Sequence, residues 1–179
     1  MLKPIIARAA LDYYQTRKRL WLKFCIALVP ALVIGIILRY LNFVQNVDFG
    51  EIFKGFINVQ ISAVAILISF SIAIVTILVS ADNPNVKKLK ERNSTECKKL
   101  RNGQTLNLFQ VLLSNITYNV LVAVVYLGFL IACIFLQLYV CVEVLKWLMA
   151  TCVFFIIHML HILLESVGQM YLTFWKHEE

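Results

Sequence analysis

Long apolar runs separated by short polar segments dominate this chain, and they predict membrane-spanning helices. No charged residue occurs between Ile61 and Val79. Because a helix rises about 1.5 Å per residue, that run is long enough to cross a bilayer core of roughly 30 Å. The apolar runs predict spans at 21–41, 57–80, 108–138 and 144–167. The predicted fold class is an all-α integral membrane protein with four transmembrane helices and a basic cytoplasmic loop between the second and third.

The second run carries a small or weakly polar residue at every turn of one helical face. Steps of three or four residues connect its members, which we call the α2 stripe because α2 is our label for the second spanning helix, in which they lie: Gly55, Asn58, Ser62, Ala65, Ser69, Ala73, Thr76 and Ser80. The other faces are filled with Ile, Leu, Val and Phe. Small residues let helices approach closely, and the same face repeated around a ring lines a narrow water path. Periodicity alone leaves pore lining and helix packing open.

Composition agrees with a single membrane domain over 1–179. Hydrophobic residues make up 61% of the chain, where soluble domains use roughly half. The net charge of +7 comes from cations beside the apolar runs. Such cations contact anionic lipid headgroups and set the orientation of the chain in the membrane. The five cysteines form no CxxC pair, and most lie inside apolar runs, so neither disulfides nor a zinc site is predicted.

Cations are dense in the N-terminal segment 1–20 and in the loop 81–106, and sparse in the other two connections. The positive-inside rule therefore predicts a multi-pass protein that crosses the membrane four times and has both termini in the cytoplasm. The N-terminal segment reads as an orienting collar or, alternatively, as a helix that grips the membrane surface.

The loop 81–106 is a candidate site for anionic lipid or a partner protein, although it also serves as a simple topology anchor. Its cations are Lys87, Lys88, Lys90, Arg92, Lys98, Lys99 and Arg101. Val86 and Leu89 add a thin apolar stripe that predicts a short interfacial helix. Without interleaved aromatics or an RNA-binding motif, direct nucleic-acid binding is not predicted.

The fourth run carries the one ionisable cluster within the predicted spans. Its members share one helical face: His158, His161, Glu165 and Gln169. The simplest interpretation is a satisfied network between helices in which Glu165 meets the lysines of the loop, and the functional one is a pH-sensitive gate or polar pore wall. A metal site lacks further ligands in the spans, so we predict no metal and no cofactor. Without a nucleophile motif, a phosphate-binding glycine loop or paired carboxylates, catalytic residues and enzymatic activity are not predicted either.

Three features, taken in order, resemble small membrane effectors of phage defence. They are the Ser/Ala-rich span that ends in Thr76-Ile77-Leu78-Val79-Ser80, the basic Lys87-Lys88-Leu89-Lys90-Glu91-Arg92, and a last span with His158 before a charged tail. This order resembles the membrane channel component of the lambda-type Rex exclusion system and the CRISPR membrane accessory proteins encoded beside Cas13b. The resemblance implies an inner-membrane protein that depolarises or permeabilises the cell when a phage-triggered or RNA-guided partner signals.

Together with this resemblance, the sequence predicts a homo-oligomeric membrane channel or pore effector of antiviral defence at a bacterial inner membrane. Its predicted polar path combines Ser62, Ser69 and Thr76 with the fourth-span cluster. The alternative is a non-conducting anchor that recruits a cytoplasmic partner, such as an RNA-guided effector, through its basic loop. A small proton-coupled transporter is a third possibility, weakened because Glu165 lies near an interface and not at the midplane.

Overall fold

The structure, a computed structural model, describes residues 13–40, 48–80, 84–94 and 105–175, and helices dominate these ranges. Helices α1, α2, α4 and α5 are each long and apolar enough to cross a membrane. They cover Leu20–Tyr40, Phe49–Ser80, Leu108–Leu136 and Val142–Trp175, and the short α3 covers Pro84–Glu91. The described ranges contain no strand longer than an isolated bridge. The predicted all-α membrane fold is confirmed.

Two helices extend beyond the apolar runs that predicted them. Helix α2 begins at Phe49, before the predicted start at 57, and α5 runs on to Trp175, past the predicted end at 167. At the start of α2, Phe49 and Phe53 continue the buried face of Ile57 at four-residue spacing. A hydropathy pattern ends an apolar run at the first charged residues. Helix α2 continues past them to Phe49, the first residue of its buried face.

The hydroxyl of Tyr126 joins three of the helices in the centre of the bundle. It lies 3.1 Å from the side-chain oxygen of Gln60 on α2 and 3.1 Å from the carbonyl oxygen of Cys152 on α5. Nearer the start of α4, the Tyr118 hydroxyl lies 3.4 Å from Nε2 of His158 on α5. Tyr118 thus contacts residue 158 and the later Tyr126 contacts residue 152, so α4 and α5 are antiparallel.

Helix α1 packs against α5 through small residues. Ala27, Ala31 and Gly35, spaced by four, are buried. A Cβ atom on Gly35 would lie 3.0 Å from the Trp147 ring and 3.1 Å from Cβ of Ala150. This small-residue face therefore lets the two helices approach closely, as small residues do between membrane helices.

The antiparallel packing separates the charges of the described residues into two groups, which we call the basic end and the neutral end. The basic end, with the starts of α1 and α4 and the ends of α2 and α5, holds eight Lys and Arg residues against Glu91 and Glu165. At the neutral end, Arg39, Lys54 and Lys146 are balanced by Asp48, Glu51 and Glu143. By the positive-inside rule, this asymmetry predicts that the basic end faces the cytoplasm.

A short helix is present where the loop sequence predicted one. Val86 and Leu89 of α3 are buried, and Leu89 packs with Leu78 and Leu112 of the long helices. The chain beyond α3 is held to the start of α4 by two backbone hydrogen bonds of 2.9 Å, one of which runs from the Ser94 amide to the Leu106 carbonyl. The loop is therefore part of the fold at both of its described ends.

Enlarging Gly35 tests the packing of α1 on α5. We expect Gly35→Leu to lower the stability by about 1–3 kcal/mol, because the new side chain must displace the Trp147 ring or Ala150. Thermal unfolding in detergent measures the effect. Gly128→Leu is the matched control, since nothing lies within 4 Å of a Cβ atom there. Equal melting temperatures for the two variants would contradict the proposed packing.

Candidate functional site

The ionisable cluster of α5 is divided among different partners, beginning with an ion pair. Both carboxylate oxygens of Glu165 accept hydrogen bonds from the Lys23 ammonium of α1, at 2.5 and 2.6 Å. The two side chains are only 13% and 14% exposed. The amide of Gln169 donates to the same carboxylate at 3.4 Å. The Lys23–Glu165 ion pair therefore joins the start of α1 to the last third of α5.

His158 lies in an aromatic environment at the same junction. Its ring stacks on Phe24 and Phe154, with centroid distances of 5.0 and 5.8 Å. Its Nε2 atom is 3.4 Å from the Tyr118 hydroxyl, and the residue is buried. These contacts join α1, α4 and α5 around His158, although its buried Nδ1 atom has no hydrogen-bond partner among the described residues.

His161 faces a different environment, a cavity of about 450 Å³ between α1 and α5. The histidines therefore do not converge on one point. Among the described residues, no three His, Cys, Asp or Glu side chains are grouped so that they could hold a metal ion.

A basic and aromatic wedge before α1, formed by Tyr13, Tyr14 and Arg17, adds contacts that the sequence did not predict. Tyr13 stacks on Tyr118 of α4 with ring centroids 3.9 Å apart, and the Tyr14 hydroxyl lies 2.7 Å from the Tyr118 hydroxyl. Arg17 is 1% exposed and donates to the Val111 carbonyl at 2.8 Å. Burial raises the pKa of the Tyr13 phenol, which keeps it neutral. In the sequence, Arg17 resembles its exposed neighbours, so no signal marked it as a core residue.

Helix α4 buries two side-chain amides within the bundle. Asn115 and Asn119 are 0% and 1% exposed, one turn apart. Neither amide atom of Asn115 has a hydrogen-bond partner within the described ranges. At the start of the helix, Asn107 and Gln110 instead form a reciprocal capping box with distances of 2.8 and 3.1 Å. Of the polar residues in this segment, Asn107 and Gln110 thus cap the helix, whereas Asn115 and Asn119 lie in the core.

The α2 stripe lies outside the bundle. All eight of its members are exposed: Gly55, Asn58, Ser62, Ala65, Ser69, Ala73, Thr76 and Ser80. A Cβ atom on Gly55 would meet nothing within 4 Å. The Ser69 hydroxyl donates to the Ala65 carbonyl at 2.9 Å, and the Thr76 hydroxyl donates to Ile72 at 3.0 Å. The stripe is therefore weakly polar, and these hydroxyl protons are satisfied within the helix.

The stripe and the α5 cluster do not form one polar path in a single chain. At about 100° per residue, the stripe is centred roughly half a turn around α2 from Gln60, which faces Tyr126 in the core. The cluster instead contacts α1 and α4 through Lys23, Phe24 and Tyr118. The two features predicted to share a path thus belong to different surfaces.

The cations of the loop are described in part. Lys87, Lys90 and Arg92 are exposed at the basic end, and the Lys90 ammonium lies 5.1 Å from the centre of the Phe109 ring. Lys88 occupies a helical position in α3. The predicted contacts of Lys98, Lys99 and Arg101 lie outside the described residues.

Comparison with protein-family models, curated protein sequences and solved structures finds no match to this chain.

The Lys23–Glu165 pair yields a prediction of coupling. Removing one partner leaves a largely buried charge unpaired, so we expect Lys23→Met and Glu165→Leu each to cost about 3–5 kcal/mol of stability. The double variant should recover most of that loss, because it removes both charges. Thermal unfolding of the four proteins in detergent gives the coupling energy. Additive losses would show that the two side chains do not depend on each other.

Proposed function

We propose that this protein is a homo-oligomeric membrane channel in which copies of α2 meet along the α2 stripe and surround a narrow path. The observation that carries the proposal is the exposure of the whole stripe, from Gly55 to Ser80, outside the bundle. Within one chain, the opposite face of α2 makes the core contacts, through Phe53, Ile57 and Val64. The described residues therefore leave the stripe exposed.

The shape of the stripe supports contact between copies. Small side chains at successive turns leave a flat strip along which two helices can approach closely. Val59 and Ile77, on a neighbouring face, are 66% and 64% exposed and present ordinary apolar surface. A helix that presented only such residues would suit lipid on every outward face. Because α2 presents small residues on one exposed face and large apolar residues on the neighbouring one, the stripe favours contact with another helix over contact with lipid.

The hydroxyls of the stripe support a water-lined path. Since Ser62, Ser69 and Thr76 donate to carbonyls one turn earlier, each keeps oxygen lone pairs that accept hydrogen bonds from water. Four spanning helices in one copy are too few to enclose such a path, so several copies in a closed ring are required. We assign the path to α2 and leave the His158 and Glu165 contacts a structural role inside each copy.

The biological setting we propose is antiviral defence at the bacterial inner membrane, where opening of the channel depolarises the cell. The support for this setting is the order of features that resembles phage-defence effectors, from the Thr76–Ser80 segment to His158. A phage-triggered or RNA-guided partner would act as the trigger.

Enlarging Ser69 tests the path. We expect Ser69→Leu to reduce single-channel conductance in planar bilayers at least about tenfold, because the leucine both blocks close approach and removes an oxygen from the path. Ser69→Ala should keep the oligomer and retain most of the conductance, since a small side chain is preserved.

The matched control is Val59→Phe, which adds bulk at an exposed position of α2 that is not part of the stripe. It should leave conductance and oligomer mass unchanged. If Ser69→Leu protein inserts, assembles and conducts like the unmodified protein, α2 does not line the path.

A second candidate function, a membrane anchor for a cytoplasmic partner, is favoured by the packing of α3. With Val86 and Leu89 buried, the exposed cations Lys87, Lys90 and Arg92 are held on a fixed surface at the basic end. A fixed cationic surface suits an acidic protein partner, because less side-chain and backbone entropy is lost on binding.

Neutralising the lysines of α3 distinguishes the channel function from the anchor function. We expect combined Lys87→Gln, Lys88→Gln and Lys90→Gln to leave conductance within about twofold of the unmodified protein, since these residues lie beyond the stripe. In the anchor function, the same variant loses co-purification of the partner, and the unmodified protein is silent in bilayers. Loss of conductance in this variant would instead place the α3 cations in the ion path.

A further inference from the structure

Two apolar clusters fill the core where α2, α4 and α5 pack, and a band of polar side chains lies where the clusters meet. One cluster includes Val64 and Met159, and the other includes Leu78 and Ile116. Four polar side chains form the band, which we call the polar layer: Ser71, Asn115, Asn119 and Ser166. Each of the four residues is at most 1% exposed.

Ser71 contributes to the polar layer from α2. It lies seven residues from Val64 on one side and seven residues from Leu78 on the other. Seven residues make about two helical turns, so the three side chains share one face of the helix. Because Val64 belongs to the first cluster and Leu78 to the second, Ser71 lies between the two clusters.

Asn119 and Ser166 lie at the same level on α4 and α5. Asn119 is within about one turn of Ile116 in the second cluster and of Ala123 in the first. Ser166 comes about two turns after Met159 of the first cluster. The polar layer therefore interrupts the apolar core on all three helices.

The polar layer carries hydrogen-bonding atoms that no other described residue pairs. They are the Ser71 hydroxyl oxygen, both side-chain amide atoms of Asn115 and the side-chain carbonyl oxygen of Asn119. The Ser166 hydroxyl donates to the Ile162 carbonyl at 2.9 Å and keeps lone pairs that can accept. An unpaired polar group is costly inside a membrane, because no solvent reaches it there. The polar layer therefore favours a ligand that forms hydrogen bonds.

The combination of donors and acceptors identifies water as that ligand. The amide nitrogen of Asn115 only donates, the two amide oxygens only accept, and the Ser71 hydroxyl does both. A cation would satisfy the oxygens and repel the N–H groups, and an anion would do the reverse. Water donates and accepts, and a buried water makes about three hydrogen bonds to such groups.

We propose that the polar layer binds ordered water, which bridges the Ser71 hydroxyl of α2 to the amides of Asn115 and Asn119 on α4. This hydration site lies inside one copy and is separate from the α2 stripe, whose members are exposed. It joins α2 to α4 at a second level, beyond the contact of Gln60 with Tyr126.

Solid-state NMR of the full chain in lipid bilayers tests the proposal through magnetisation transfer from water to asparagine side chains. Ser114–Asn115 is the one Ser–Asn pair in the sequence, so labelled serine carbonyl carbons and fully labelled asparagine identify Asn115 without a substitution. We expect a water cross-peak to the Asn115 side-chain amide within about twofold of the cross-peak to Asn107, which caps α4 at the basic end.

Removing one bridging partner tests which residues hold the water. Ser71→Ala should weaken the water cross-peak of Asn115 at least about twofold, because the bridge loses a hydrogen bond. Thr151→Val is the matched control, since it removes a hydroxyl at an exposed position of α5. It should leave the cross-peak unchanged.

Three outcomes overturn the proposal. The absence of a water cross-peak at Asn115, beside a clear one at Asn107, would show that the polar layer is dry. Equal weakening by Ser71→Ala and Thr151→Val would exclude a bridge at Ser71. A saturable shift of the Asn115 signal on titration with sodium chloride would assign the polar layer to a cation.

Thermal unfolding in detergent gives a second test through Asn115→Leu, which keeps a similar side-chain volume and removes the amide. If water pairs the amide, the variant loses hydrogen bonds and leaves Ser71 with fewer partners, so its melting temperature should fall by at least about 2 °C. A melting temperature equal to or above that of the unmodified protein would contradict the proposal. If the variant fails to fold, the NMR measurement on the unmodified protein remains decisive.

Discussion

The contacts of the Tyr126 hydroxyl determine which face of α2 is left outside the bundle. That hydroxyl lies 3.1 Å from Gln60 of α2 and from the Cys152 carbonyl of α5, in the buried centre where the three helices meet. Gln60 lies on the same face of α2 as Phe53, Ile57 and Val64, which pack in the core. The stripe then faces away from the bundle because it lies half a turn around the helix. The proposed contact between copies along the stripe requires this orientation of α2 about its own axis.

Helix α1 depends on α5 in a comparable way. Ala27, Ala31 and Gly35 form its small-residue contact, and the Lys23–Glu165 pair fixes its basic end. Among the described residues, the small-residue face of α1 is therefore buried within one copy, whereas that of α2 is exposed. Both the α5 cluster and the wedge of Tyr13 and Arg17 close the junction of α1 with the other helices.

Hydropathy was sufficient to predict the four spanning helices, because a long uncharged run has few alternatives to a membrane helix. Periodicity was sufficient to place Ser62 and Ser69 on one face, but a period does not say which face a neighbouring helix covers. The lysines of the loop were expected to meet Glu165, but its partner in the structure is Lys23. Lys23 is far from Glu165 in the sequence and becomes adjacent only through packing. Burial of Arg17 and Asn115 had no sequence signal, since both residue types are usually exposed.

Cysteine cross-linking in native membranes tests most directly whether copies of α2 meet along the stripe. In a chain whose native cysteines are replaced by alanine, Ser62→Cys and Ser69→Cys lie on the stripe, and Val59→Cys and Ile77→Cys are exposed controls. The account predicts disulfide-linked dimers after mild oxidation at positions 62 and 69, with little at 59 and 77. Absence of cross-links at 62 and 69, or equal yields at all four positions, would contradict it.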